Sequence, residues 1–72
     1  MTKRAEILQQ VLDLTNKAGS DARVTHIRLT RVKGFKKNIL LQSAARHHYN
    51  VARVNYEIAA FLESLLHKES RK

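Results

Sequence analysis

The sequence predicts a mainly α-helical chain with one short strand, in the order α-β-α-α; an all-α helix-turn-helix bundle is the alternative. Three observations carry this. Apolar residues recur at helical spacing near both ends of the chain, β-branched residues crowd the segment from Val24 to Val32, and Gly19, Gly34 and Asn50 fall between the periodic stretches. A chain of 72 residues makes one domain, with 2–18 an N-terminal helix, 22–68 a strand-helix-helix core and 69–72 a frayed tail.

Each element has a local reason. In 2–18, Ile7, Leu8, Val11, Leu12 and Leu14, continued by Thr15 and Ala18, form an apolar stripe. Thr2 suits the N-cap, Glu6 the positive end of the helix dipole, and Gly19 a left-handed C-cap, with Ser20 and Asp21 turning the chain. From His26 to Thr30 polar and apolar residues alternate, which in an extended chain sends Ile27 and Leu29 to one face and His26, Arg28 and Thr30 to the other. The alternation fails at Arg31 and Val32, so the strand spans Val24 to Arg31; one turn of helix or a basic loop is the alternative. After Gly34, Asn38 caps a helix from Ile39 to about Tyr49 that buries Ile39, Leu40, Leu41, Ala44 and Ala45. A third helix, Ala52 to Lys68, buries Val54, Ile58, Phe61, Leu62, Leu65 and Leu66. No Gly or Pro enforces the break at Asn50, so a single helix from 38 to 67 competes with this pair.

The charge is unevenly placed. The formal balance is +8, and residues 22–56 hold Arg23, Arg28, Arg31, Lys33, Lys36, Lys37, Arg46 and Arg53 with no Asp or Glu. The other basic residues are matched in number by the acidic ones, so the net charge resides in this stretch. Such a region collects polyanions, because each neutralised phosphate releases a condensed counterion. No apolar run approaches the length of a membrane span and no signal peptide opens the chain, so no membrane partner and a cytoplasmic location are expected. Without Cys, neither a disulfide nor a thiolate site can brace so small a core, which favours a homodimer.

Two residue groups resemble the ribbon-helix-helix family of repressors, which includes Arc-like and methionine-repressor-like proteins. Ile27-Arg28-Leu29-Thr30 is similar to the family's strand, and Val54-Asn55-Tyr56-Glu57-Ile58, continuing through Leu62, Glu63 and Ser64, to the start of its second helix. The resemblance spans Val24 to Leu66 and implies a homodimer whose strands pair into an antiparallel ribbon, with 2–18 added in front. A ribbon fits the DNA major groove, where all four base pairs are distinguishable. The expected base contacts are then His26, Arg28 and Thr30. The expected phosphate contacts are Arg31, Lys33, Lys36 and Lys37, with Arg53 and Asn55 at a helix N-terminus. The chain departs from the family in its longer gap between strand and second helix, in Asn50 where Gly is usual, and in Arg46 where an apolar residue is usual. The function expected is sequence-specific binding of double-stranded DNA, by a transcriptional repressor or a plasmid or phage DNA-maintenance regulator.

Other readings compete. A helix-turn-helix from helices 38–49 and 52–67 would use Arg46, Arg53 and Asn55, but it sets Arg46 where a small residue is needed. A small helical interaction protein would bind RNA or an acidic protein through the basic face, and would be helical throughout Val24 to Val32. Tyr49 and Tyr56 are expected to pack on the core, with stacking on an unpaired base as the alternative. No metal site is expected: His47 and His48 are adjacent and diverge by about 100° on a helix, while His26 and His67 lack partners one turn away. No cofactor and no catalytic residue is expected, since Ser43, Ser64 and Ser70 lie outside any nucleophile or phosphate-loop motif.

Overall fold

A computed structural model describes residues 3–70. The chain is a hairpin of two long helices, α1 (Lys3–Thr30) and α2 (Ile39–Ser70), with a single 3₁₀ turn, Phe35–Lys37, in the connection. The helices run antiparallel: Arg4 meets Glu69 at 3.5 Å, and His26 meets the Ala45 carbonyl at 2.8 Å. The result is a rod of 54 × 13 × 12 Å.

The α-β-α-α, ribbon-helix-helix expectation is overturned, because the described residues contain no strand and Val24 to Thr30 continue α1. An isolated strand leaves its N–H and C=O groups without partners. Helix satisfies them within the segment and costs each β-branched residue only a few tenths of a kcal/mol. The threonine hydroxyls are also satisfied one turn back: Thr25 donates to the Asp21 carbonyl at 2.9 Å and Thr30 to the Ile27 carbonyl at 2.7 Å. The all-α alternative holds as a class, but its turn at Asn50-Val51 is absent, since α2 passes through both residues. Glu69 and Ser70, expected in a tail, belong to α2; Thr2, expected as an N-cap, and residues 71–72 lie outside the described residues.

The seam between the helices follows a heptad rhythm. In α1, Ala5, Leu12, Gly19 and Ala22 are buried, and Leu8, Thr15, His26 and Leu29 are half-buried between and beyond them. In α2, Ala45, Ala52 and Ala59 are buried at seven-residue intervals, with Leu41, His48, Asn55, Leu62 and Leu66 half-buried alongside. Steps alternating between three and four residues keep one stripe of each helix against the other. Among the described residues Leu12, at 6% exposure, is the one large apolar side chain in the buried core; the rest of that core is alanine.

Gly19 is therefore not a C-cap. It sits inside α1 close against α2: a Cβ here would lie 3.1 Å from Tyr56 Cε1 and 3.3 Å from Asn55 Cβ. The about 1 kcal/mol that glycine costs a helix relative to alanine is offset by that approach. Gly34 is the true reversal point, with φ 86° in the left-handed region. Asn38 caps α2 as expected, its Oδ1 accepting from the amides of Leu40 at 3.0 Å and Leu41 at 3.2 Å. Gln42 Nε2 donates to the Phe35 carbonyl at 3.0 Å and ties the connection to α2.

Candidate functional site

Folding back at Gly34 converts a block of sequence into one end of the rod. The last turns of α1, the connection and the first turns of α2 are all drawn from the acid-free stretch, so its eight cationic side chains share the loop half, and every one is exposed. Among the described residues only Arg53 of the eight meets a carboxylate, Glu57 at 3.2 Å, on an exposed helix face. The other seven are exposed. Of the acidic residues, Glu6, Asp13, Glu63 and Glu69 lie toward the open end and Glu57 near mid-rod, while among the described residues Asp21, two residues before Arg23, is the one carboxylate of the loop half.

One flank of the hairpin adds aromatic surface. Arg46, Tyr49, Arg53 and Tyr56 follow one another along α2 at alternating steps of three and four residues, which puts them on one side of the helix. Beside them on α1 lie Arg23, His26 and Ile27, and these three, with Tyr49, Ala52, Arg53, Tyr56, Glu57 and Ala60, line an open groove of about 640 Å³. His26 is fixed at its floor. Its Nδ1 donates to the Ala45 carbonyl at 2.8 Å, and its ring lies 5.4 Å from the Tyr49 ring at a 55° tilt. Tyr49 and Tyr56, expected to pack on the core, each rest one side of the ring on α1, Tyr49 beside His26 and Tyr56 against Gly19, and leave much of the rest exposed.

The expected contact residues are redistributed. On a helix the alternation of residues 26, 28 and 30 is lost: His26 and Thr30 lie about one turn apart, and Arg28 points to the far side. His26 is half-buried in the groove and the Thr30 hydroxyl is bonded to its own helix, so the three form no common reading face. Arg31, Lys33, Lys36 and Lys37 are exposed together in and beside the connection. Arg53 and Asn55 sit mid-helix rather than at a helix N-terminus, and Asn55 donates to the Val51 carbonyl at 2.9 Å. Arg23, absent from the expected contacts, and Arg46, expected only in the helix-turn-helix reading, join this surface; the spacing of Arg46 with Tyr49, Arg53 and Tyr56 was present in the sequence as a stepwise Arg/Tyr pattern.

Among the described residues no three His, Asp or Glu side chains gather as metal ligands, and the His47 and His48 rings stand 6.1 Å apart, nearly perpendicular. No helix is long and apolar enough to cross a membrane among the described residues. Compared with known proteins, the chain matches no family model, no curated protein and no solved structure.

Proposed function

We propose that this protein is a helical nucleic-acid-binding module that holds the sugar-phosphate backbone with the basic end of its rod. One observation carries the reading: eight exposed cations share the loop half with a single carboxylate, Asp21. Phosphate contact of this kind provides affinity and orientation with little sequence information. The Arg/Tyr flank adds a second element, since guanidinium groups pair with phosphates while exposed tyrosines offer faces on which bases stack.

Fluorescence anisotropy tests this with a duplex DNA, a single-stranded DNA and an RNA of equal length, each at two salt concentrations. Affinity is expected to fall steeply with salt. Lys36→Ala should weaken every sequence alike and lower the salt slope by about one unit. Arg28→Ala should do the same, because a helical Arg28 has no base-reading partners beside it. A selective loss of preferred sequences on Arg28→Ala would refute backbone recognition. Failure to bind any of the three nucleic acids, with retention of an acidic protein, would replace the reading.

A further inference from the structure

The flank opposite the Arg/Tyr groove is apolar, and its own chain leaves it uncovered. Along α2 the large side chains Leu40, Val51, Val54, Ile58, Phe61 and Leu65 keep the same alternating three- and four-residue rhythm as the inner seam, one step around the helix. Leu40 is 78% exposed and Phe61 55%. Val54, Ile58, Phe61 and Leu65 border a shallow groove built from α2 alone. In the first half of α1, Ile7, Val11 and Leu14 are exposed, Leu14 by 69%, and helical geometry turns them to the same side of the hairpin.

We propose that this second seam is the interface with another copy of the chain, which packs face to face into an antiparallel four-helix bundle. Three arguments select that occupant. A core of alanines and one leucine is too small to hold a rod of this length together by itself, and oligomerisation is the remedy open to a chain without disulfides.

The area is sufficient. Of this seam's nine large side chains Val51 and Leu65 are half-buried and the other seven exposed; at on the order of 80–100 Å² each the seven offer about 600 Å² per chain, and a symmetric pair then buries about 1,200 Å², the lower bound of stable interfaces.

The seam is also self-complementary. Antiparallel pairing of the two α2 helices, centred between Val51 and Val54, sets Leu40 against the partner's Leu65, small Ala44 against large Phe61, and His47 against Ile58. A two-fold axis there makes each contact twice. Charge fixes the direction. Antiparallel packing lays each basic loop half along the partner's acid-bearing half, whereas parallel packing would crowd both basic ends together. The Arg/Tyr flank of each copy then faces outward.

Sedimentation equilibrium of the unaltered chain should give twice the 8.3 kDa chain mass at micromolar concentration. Phe61→Glu should raise the dissociation constant by about 30-fold or more, as for a central anchor, while Phe61→Leu keeps the dimer. Orientation is read without touching the seam: the chain lacks Cys, so a spin label on Lys36→Cys gives one site per copy. Two labels separated by roughly the 54 Å rod length support the antiparallel bundle. A monomeric mass for the fully helical unaltered chain, a dimer indifferent to Phe61→Glu, or labels separated by only the rod's width would overturn the proposal.

Discussion

The two flanks of this hairpin are built on the same two helices and differ in almost every property. One carries arginines, tyrosines and a hydrogen-bonded histidine beside a groove; the other carries leucine, valine, isoleucine and phenylalanine along α2, interrupted by Ala44 and His47. Between them runs a narrow seam of alanine and glycine. The contrast teaches that apolarity alone does not decide burial in a two-helix chain. Small residues take the most buried inner positions because they let the backbones approach, leucines such as Leu12 fill in beside them, and a second set of large apolar residues is left outside, where another chain can cover it. An amphipathic helix with one apolar stripe needs one neighbour; α2, with two adjacent stripes, has room for two.

The strongest way to break the comparison is to put a charge into the seam. Ala52 is 5% exposed, and Ala52→Asp should destabilise the hairpin by about 3 kcal/mol, since a carboxylate forced between two close backbones is both overpacked and desolvated. Urea unfolding followed by circular dichroism measures this, and a loss below about 1 kcal/mol would mean that the seam is wet rather than packed.

Next in size is the reversal point. Gly34→Val should cost about 1–2 kcal/mol, because a β-branched residue is strained at positive φ even though a Cβ there meets nothing within 4 Å. An unchanged melting curve would show that the connection can reverse by another route.

The outer seam predicts a concentration effect rather than a mutational one. Each tenfold rise in chain concentration should stabilise a folded dimer by about 1.4 kcal/mol, and a melting temperature independent of concentration would count against a second copy. The smallest of the four is the cap: Asn38→Ala removes the acceptor for the Leu40 and Leu41 amides and should lose about 1 kcal/mol.

Much of the helical content was legible, and the reasons it was legible are local. The cap at Asn38, the apolar periodicity on both sides of Gly34 and the option of an unbroken helix through Asn50 all follow from short-range rules. The strand was misread because β-branched propensity is a preference of tenths of a kcal/mol, easily outweighed once α1 can place Ala22, His26 and Leu29 along α2. Ile7, Leu8, Val11, Leu12 and Leu14 looked like one broad stripe. In the structure they divide, with Leu8 and Leu12 toward the inner seam and Ile7, Val11 and Leu14 toward the outer. The seven-residue interval of Ala45, Ala52 and Ala59 was the signal that could have separated them. Likewise, the basic block was visible as a run, but its joining with the tyrosines of α2 needed the helix to continue through Asn50.

By itself the sequence determined that the chain is rich in helix, that its net positive charge resides between residues 22 and 56, and that α2 begins at an asparagine cap. Composition and nearest-turn hydrogen bonding are enough for these. Only the tertiary structure decided which apolar stripe turns inward, that glycine at position 19 serves contact rather than a chain end, and that the cations share one pole of a rod. Those outcomes depend on how closely two backbones can approach, and side-chain size at the crossing, felt only when both helices are present, sets that distance.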